Sequence, residues 1–363
     1  MNTFGKTIGL TIFGESHGLS IGAVLDGLPS GEAIDWDAVR AEMARRAPGK
    51  NQMSTARSEK DAFEVQSGFF NGYTTGTPLC AIIRNSDQHS RDYDQLRHLM
   101  RPGHADYSGK IRYGGFNDYR GGGHFSGRLT APLVFAGAVA SQILARHGIT
   151  VGSHILRLAG IADKPFNAVG ETAETLQALK KETLPVLDKA QSGLMEEKIL
   201  AAKNDLDSVG GVIECMVTGL PAGIGDPFFD SVESQLSHMM FSVPAVKGIE
   251  FGDGFSLAEL RGSQANDAFY YDGDVVKTRT NHNGGINGGI TNGMPVVFRL
   301  AIKPTASISQ KQETIDTDTK ENCDLVIKGR HDPCIVQRAI PVVEAAAAWA
   351  ILDVCLSEKG RCW

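Results

Sequence analysis

Two short stretches combine histidine and glycine in a way that suits proton transfer beside a bound ligand. The first, GESHG at 14–18, follows the strand-like segment TIGLTIF. A histidine at a strand end can act as a general acid near neutral pH, and the flanking glycines let the backbone approach whatever His17 contacts. Adjacent residues on a strand point to opposite faces, so Ser16 and His17 do not predict a serine hydrolase. A structural turn that satisfies the histidine is the alternative.

The second stretch, at 103–128, contains eight glycines, four basic residues and two histidines, against two acids. A linker needs such glycines but not the cations, and a solvated surface needs the cations but not the glycines. Its aromatic residues argue against plain disorder, and long glycine-rich segments in compact proteins are usually functional. The stretch therefore predicts a site where backbone and cations meet one ligand.

Arginines recur in or beside loops along the chain. An arginine offers a two-pronged donor to phosphate or carboxylate, although each one taken singly is explained equally well as a surface charge. Together with the glycines they predict a site for a small polyanion. They are Arg45, Arg46, Arg57, Arg112, Arg120, Arg128, Arg330 and Arg338.

Two further loops could contribute to such a site. TNHNGGINGGITNG at 280–293 could cradle a phosphate or a flavin edge, or form a plain hairpin; it lacks the dinucleotide-binding GxGxxG pattern. In KGRHDPC at 328–334, Asp332 suits a helix N-cap and Pro333 the first turn, whereas Arg330 and His331 suggest an anion site.

The bulk composition limits the function classes. Net charge of −6 over 363 residues argues against a nucleic-acid or acidic-membrane binder. The most apolar windows, 130–145 and 339–356, are interrupted by proline or acids and are expected to be buried alanine-rich helices rather than membrane spans. No signal peptide is evident, and the six cysteines show no CxxC or metal-ligand spacing. We expect a cytoplasmic protein with free thiols and no metal.

Hydrophobic periodicity predicts alternating strands and helices, with 101–127 and 304–325 left unassigned. The predicted strands lie near 8–13, 20–27, 62–68, 78–84, 209–219 and 295–303, and the helices near 35–46, 130–147, 172–182, 193–206, 229–241 and 334–357.

Two sequence patterns each occur twice, in the same order along the chain. Gly-Leu-Pro turns between a strand and a helix occur at 24–43 and 216–236, and Gly-Xaa-Pro turns opening a β-rich run occur at 73–85 and 290–304. They indicate two related halves, with chance recurrence of Gly-Pro turns as the alternative.

Three long motifs resemble the signatures of the chorismate synthase family. They are GESHGLSIGAVLDGLP at 14–29, RPGHADYSGKIRYGGFNDYRGGGHFSGRLTA at 101–131 and GRHDPCIVQRAIPVVEAA at 329–346. GIEFGDGF, RGSQANDAF and NHNGGINGGITNGMPVVFRLAIKPT also fit the family. The likeness runs in order along nearly the whole chain.

The resemblance implies an α+β fold, a β-α-β sandwich with internally duplicated strand–turn–helix halves. We expect one domain over 1–363, with halves at roughly 1–150 and 205–363. The implied reaction is trans-1,4-elimination of phosphate from 5-enolpyruvylshikimate-3-phosphate to give chorismate. It uses reduced FMN and is the last common step of aromatic amino-acid biosynthesis. A homotetramer is also implied.

The resemblance also assigns roles to residues. His17 acts near the reduced flavin, His104 near the departing phosphate, and Asp332 tunes the proton at flavin N5. Arg45, Arg46, Arg128 and Arg330 bind the anions of substrate or NADP. The implied flavin contacts are His124, Phe125, Ser126, Pro244, Ala245, Gly288, Lys303, Pro304, Thr305, Ala306, Ser307 and Arg330.

The chain departs from the family pattern at two places. Many members have Arg-Ser-Ser where this chain has His124-Phe125-Ser126, and an arginine, often assigned to NADPH or anion binding, where it has Gln52. No added flavin-reductase domain is evident, so we expect an external flavin reductant, with NADPH at most an indirect one. The alternatives are a flavin-dependent oxidoreductase acting on a phosphorylated metabolite and a non-enzymatic binding protein.

Overall fold

Antiparallel strands form two five-stranded sheets on either side of a helical layer, in a computed structural model that describes residues 2–49, 53, 61–86, 97–327 and 331–357. The strands are β1 (Thr3–Phe4), β2 (Gly9–Gly14), β3 (Ser20–Asp26), β4 (Phe63–Ser67), β5 (Phe69–Phe70), β6 (Tyr73–Thr74), β7 (Leu79–Arg84), β8 (Thr150–Leu158), β9 (Ile161–Ala162), β10 (Gly211–Thr218), β11 (Val246–Phe251), β12 (Phe269–Asp272), β13 (Val275–Thr278), β14 (Ile286–Asn287), β15 (Ile290–Thr291), β16 (Val296–Ile302), β17 (Gln312–Asp316) and β18 (Glu321–Leu325). The α-helices are α1 (Trp36–Arg46), α2 (Asp106–Arg112), α3 (Thr130–Arg146), α4 (Ala173–Leu179), α5 (Lys189–Asn204), α6 (Val232–Met240), α7 (Gly262–Ala265) and α8 (Val336–Ser357).

The strand order is β1-β2-β3-β7-β4 in the first sheet and β11-β16-β10-β8-β9 in the second. Helix α3 packs against β2, β3 and β7, helix α8 packs against β8 and β10, and the two helices pack against each other. This arrangement confirms the predicted α+β class and the sheet–helix–sheet sandwich.

Four strands of each sheet share one connectivity. In chain order, β2, β3, β4 and β7 lie in the spatial order first-second-fourth-third, and so do β8, β10, β11 and β16. In each set a helix precedes the third strand (α1 and α6) and a long helix follows the fourth (α3 and α8). We propose that the single domain is an internal duplication whose second half begins at β8, earlier than residue 205, with α4 and α5 inserted into it.

The two central helices approach each other closely because small residues lie at their contact. A Cβ atom added at Gly137 would lie 2.2 Å from the Cα of Ala345. Both helices are long and apolar enough to cross a membrane by length and composition, but most of their residues are buried inside the sandwich. They are core helices, as the sequence predicted.

Helix α8 contains two buried acids, and both have long-range partners. The Asp353 carboxylate accepts hydrogen bonds from the backbone N–H groups of three N-terminal residues, including that of Ile8 at 2.9 Å. Glu344 accepts from Ser153 N at 3.1 Å and from Arg45 Nη1 at 2.6 Å. Buried polar groups need such partners, and these tie the helix to the N-terminal segment, β8 and α1.

All twelve predicted elements occur, with ends displaced by a few residues. The segments left unassigned contain helix α2 and, near 304–325, the hairpin β17–β18. The strands β8 and β11 were not predicted, and neither were helix α7 and the short strands β1, β5, β6, β9, β12, β13, β14 and β15.

Candidate active site

The structure contains a cavity of about 780 Å³. Its walls come from β1, β2, the segment around 101–130, residues 238–247, the stretch 303–307 and the start of α8. This volume falls within the range of about 300–1,000 Å³ that is common for small-molecule sites.

Cations dominate the charged lining of this cavity. Among the described lining residues, Asp332 is the single acid, and apolar side chains such as Phe125, Leu133 and Val342 form the remaining wall. A cavity with this surplus attracts a polyanion and binds it through charge-assisted hydrogen bonds, while the apolar wall suits a flat ring. The lining cations are Arg46, Arg101, Arg128, Lys247, Lys303 and Arg338.

His104 is held by its neighbours at the start of α2. Its Nδ1 lies 2.7 Å from Asp106 Oδ1, and Arg101 donates to both oxygens of that carboxylate, from Nε and Nη2, each at 2.7 Å. Burial raises the pKa of Asp106, but the bonds from Arg101 and His104 outweigh it and hold that pKa well below its usual range. Asp106 is therefore an anion that anchors two cavity-lining side chains.

His17 is buried and lies behind the cavity wall. A Cβ at Gly121 would lie 2.2 Å from its Nδ1 and Cε1, and Gly121 itself lines the cavity. The next glycine, Gly122, lies beside His104, since a Cβ there would be 3.1 Å from Cε1 of that ring. The two predicted catalytic histidines therefore pack against consecutive glycines of one loop.

Two of the predicted anion-binding arginines share a buried acid. Asp61, whose side chain is fully buried, accepts from Arg46 Nε at 2.8 Å and pairs with Arg128 Nη1. Burial is the main cause that lowers the pKa of Arg46 to about 10, opposed by Asp61 and aided by the nearby Arg338 and Arg128. Both residues line the cavity, and Asp61 balances part of their charge from inside the protein.

Arg128 is also connected to the GESHG turn. Its Nε donates to Asn85 Oδ1 at 3.0 Å, and Asn85 Nδ2 donates to the backbone oxygens of Glu15 and Gly18 at 3.0 and 2.9 Å. The turn that holds His17 is thus fixed relative to the arginine pair.

The predicted cap at the start of α8 is wrong. The helix begins at Val336, not beside Pro333, and Cys334 forms a β-bridge with Val209. Asp332 accepts from Arg338 Nη1 at 2.5 Å, so an ion pair with a side chain one and a half turns later replaces the cap. Asp332 and Arg338 both line the cavity, whereas Arg330 lies outside the described residues, as do Gln52 and Arg57.

Most of the predicted flavin-binding residues line the cavity. His124 does so while its Nδ1 donates to the Gly14 carbonyl at 2.8 Å, and Lys303 does so while its Nζ donates to the Gly103 carbonyl at 2.5 Å. The predicted residues on the wall are His124, Phe125, Ser126, Pro244, Ala245, Lys303, Pro304, Thr305, Ala306 and Ser307.

Besides His17, which lies behind Gly121, two predicted site residues do not line the cavity. Gly288 lies on the exposed turn between β14 and β15, and the loop before that hairpin is bonded internally through Asn281, which donates to the carbonyls of Ala168 and Pro295. Arg45 donates instead to Glu42 on α1 and to Glu344 on α8. The 280–293 motif forms a hairpin with its approach loop, and a ligand contact at Gly288 stays a prediction.

Two buried polar atoms in the cavity have no hydrogen-bond partner among the described residues. They are the hydroxyl of Thr305 and Nε2 of His331. Burial, together with the charge of Arg101, lowers the pKa of His331, although the backbone of Ile327 and Asp332 oppose this. Such orphaned atoms fit a ligand that presents its own polar groups to this wall.

The sequence analysis did not identify three residues that form or support the cavity wall. Arg101 was quoted only within the RPGH motif, and its spacing to Asp106 was the available signal. Arg338 was counted only as one of a series of loop arginines. Asp61 follows a polar loop and carries no local signal, since its partners lie far away in the chain.

Comparison with known proteins identifies the family. The family described as "Chorismate synthase" matches residues 8–356. The chain belongs to the chorismate synthase family.

Close relatives support the assignment along the whole chain. A chorismate synthase of Dehalococcoides mccartyi is 45% identical over 355 residues, which cover 98% of this chain and 96% of the relative. That of Thermococcus gammatolerans is 44% identical over 355 residues, covering 98% of both chains. A solved structure titled "Crystal Structure of Chorismate Synthase" superimposes with a TM-score of 0.77 at 27% identity, covering 99% of this chain and 95% of that one.

Family membership fixes the coarse function. The chain is a carbon–oxygen lyase of chorismate formation in the shikimate pathway, EC 4.2.3.5, and acts on a small-molecule substrate. The chorismate synthase assignment leaves the redox-enzyme and binding-protein alternatives without support.

Proposed function

We propose that this enzyme converts 5-enolpyruvylshikimate-3-phosphate to chorismate by trans-1,4-elimination of phosphate, with reduced FMN bound in the same cavity. The observation that supports this most directly is the charge of the cavity lining. Six cations, one acid and His104 line the same cavity. The substrate has one phosphate and two carboxylates, so it matches a cavity rich in guanidinium groups.

We assign substrate binding to the arginines around the loop that carries the two histidines. Arg46 and Arg128 offer a preformed pair, because Asp61 holds both guanidinium groups in place. Arg101 and Arg338 are likewise oriented by single carboxylates, Asp106 and Asp332. Guanidinium groups oriented in advance stabilise the charge that develops on a leaving phosphate without reorganising during the reaction.

Other residues of the cavity lining fit reduced FMN. Phe125 and Pro244 supply apolar surface for a flat ring, and Thr305 has a buried hydroxyl that lacks a partner among the described residues. His124, Ser126, Ala245 and the rest of 303–307 would complete the contacts, and Arg330 is proposed with them although it lies outside the described residues. Reduced FMN held by these residues would supply electron density and a proton acceptor for the elimination.

The proposed proton chemistry uses three side chains. His104 donates a proton from its ring to the departing phosphate, beside which Arg101 balances charge. His17 packs against Gly121, and from there it influences the protonation state of the flavin on the other side of this loop. Asp332, oriented by Arg338, controls the proton at flavin N5. Imidazole and carboxylate groups are side chains that enzymes use for general acid–base catalysis.

We further propose that this enzyme depends on an external flavin reductant, works in the cytoplasm and assembles as a homotetramer. The reductant proposal carries over the expectation drawn from the sequence, and a turnover assay tests it directly. Anaerobic incubation with oxidised FMN and NADPH alone should give no sustained chorismate formation, and steady turnover under those conditions would contradict it.

The decisive experiment is an anaerobic assay with photoreduced FMN and 5-enolpyruvylshikimate-3-phosphate. We expect phosphate and chorismate to form in equal amounts over many turnovers for each equivalent of reductant, because the elimination has no net redox change. Consumption of reductant in step with product would instead identify a redox enzyme. If folded, flavin-loaded protein forms no chorismate, the proposed function is wrong.

A further inference from the structure

Asp106 does more than neutralise the charge of Arg101, because it also bonds His104. Its two carboxylate oxygens accept four hydrogen bonds: from Arg101 N, Nε and Nη2 at 3.0, 2.7 and 2.7 Å, and from His104 Nδ1 at 2.7 Å. The Asp106 side chain is 8% exposed. A buried carboxylate that is saturated in this way is fixed in position and fixes its donors.

The same geometry determines which nitrogen of His104 carries hydrogen. Arg101 Nη2 also lies 3.0 Å from Nδ1, but an arginine is always a donor and could bond only a bare Nδ1. The shorter contact with a carboxylate, which only accepts, requires Nδ1 to be protonated. Nδ1 therefore donates to Asp106, and Nε2 is the nitrogen left for the cavity.

We propose that Asp106 is a positioning residue for His104: it fixes the ring tautomer and orientation so that Nε2 is the atom that gives a proton to a ligand in the cavity. This inference rests on the proposed role of His104 and extends it to a residue that does not itself line the cavity. A carboxylate behind a histidine also offsets the charge of the imidazolium.

The charges around His104 give this role a measurable electrostatic consequence. Arg101 and Asp106 face the ring from its own segment, Lys303 bonds the Gly103 carbonyl from the loop after β16, and His331 approaches Arg101 from the start of α8. Asp106 is the single acid in this group. Without its charge, Arg101 would face the imidazolium uncompensated, and protonation of His104 would require a lower pH.

The test compares Asp106→Asn with Asp316→Asn. His98 and Asp316 form a matched pair, with Nδ1 to Oδ2 at 2.9 Å, and neither lines the cavity. Diethylpyrocarbonate acylates the unprotonated imidazole, so peptide-resolved mass spectrometry across a pH series reports protonation of His104 without substrate or flavin. In D106N the curve for His104 should move to lower pH, and in D316N it should match the wild type.

Turnover supplies the second readout. D106N should lose about tenfold or more in kcat at neutral pH, and the alkaline limb of its pH–rate profile should move in the same direction as the labelling curve. Superimposable labelling curves for D106N and the wild type would overturn the proposal. If the wild type forms no chorismate at all, the proposed function fails while the labelling result still decides the role of Asp106.

Asp106→Glu covers the case in which D106N does not fold. It keeps the charge but moves the carboxylate by one methylene. We expect the labelling curve of His104 to be unchanged, because the carboxylate charge is kept. We expect kcat to fall about tenfold, because the His104 ring loses its orientation. Full activity in this variant would show that orientation by Asp106 is unnecessary.

Discussion

The imidazole of His17 lies against the Cα of Gly121, so closely that a Cβ at that position would be 2.2 Å from Nδ1 and Cε1. Gly121 also has φ of 60°, in the left-handed region that favours glycine. Both the backbone conformation and the neighbouring ring therefore exclude a side chain here.

Gly121→Ala should displace His17 and reduce kcat about a hundredfold, since small misplacements of reacting groups have effects of that size. Gly115→Ala is the matched control, because Gly115 has φ of 82° but nothing within 4 Å of an added Cβ. Both variants should lose about 1–2 kcal/mol from the left-handed alanine. Steady-state kinetics and thermal unfolding separate the two effects, and equal kcat values for both variants would mean that contact with Gly121 does not set the position of His17.

His17→Ala and His104→Ala should each lose about a hundredfold or more in kcat, the usual scale for a lost acid or base. His147→Ala, on the exposed end of α3, serves as the control and should keep wild-type turnover. The assay is anaerobic single-substrate turnover with photoreduced FMN. Near-native kcat in either cavity variant would remove that histidine from the mechanism.

Local sequence patterns predicted six of the strands in the two sheets and both central helices. Strands β2 and β3 and helices α3 and α8 have periodic apolar residues and clear ends, so local rules suffice for them. Strand β8 was missed because Gly152, Ser153 and His154 break its apolar run. These residues are buried nonetheless, since Ser153 bonds Glu344 on α8 and His154 bonds Asp163 and Glu214.

The site shows the same division between local and long-range information. The glycine-rich stretch and the GESHG turn were both singled out from the sequence. The structure places the glycine-rich stretch on the cavity wall and the GESHG turn behind it, with His17 against Gly121. The role of Asp61 depends on Arg46 and Arg128, which no local pattern connects to it. The predicted N-cap at Asp332 was wrong because capping is inferred from local sequence alone. The partner of Asp332 is the Arg338 side chain.

Asp61→Asn should destabilise the enzyme because it leaves Arg46 and Arg128 buried without their shared anion. Breaking a buried ion pair from one side typically costs about 3–5 kcal/mol. Glu64→Gln is the matched control, since Glu64 pairs with Arg84 through Nε at 2.9 Å but both side chains are at least half exposed. Such exposed pairs contribute about 0–1 kcal/mol.

Inorganic phosphate should restore part of the stability of D61N, because an anion that binds the two freed arginines favours the folded state. Thermal unfolding with and without phosphate measures this, and the phosphate-induced rise should be larger in D61N than in E64Q or the wild type. An equal rise in all three proteins would show that the arginine pair is closed to anions from the cavity.

The buried His154 should make stability depend on pH. Its Nδ1 lies 3.1 Å from Asp163 and its Nε2 3.0 Å from Glu214, and all three side chains are buried. Burial lowers the pKa of His154, but the hydrogen bonds to Asp163 and Glu214 outweigh burial, so the net pKa is raised. The pKa values of both acids are lowered, because bonds from His154 and from backbone N–H groups outweigh the effect of burial.

A raised histidine pKa stabilises the folded state fully below its unfolded value of about 6.5, and this contribution is lost as pH rises through the folded pKa. His154→Gln should therefore lower the unfolding temperature strongly at pH 6, by the equivalent of about 3 kcal/mol for a broken buried charge pair. The gap to the wild type should narrow as pH rises through the folded pKa of His154, since the wild-type ring then also becomes neutral. His147→Gln should show no such convergence, and a His154→Gln deficit that stays constant across this pH range would indicate that the ring is neutral in the folded enzyme.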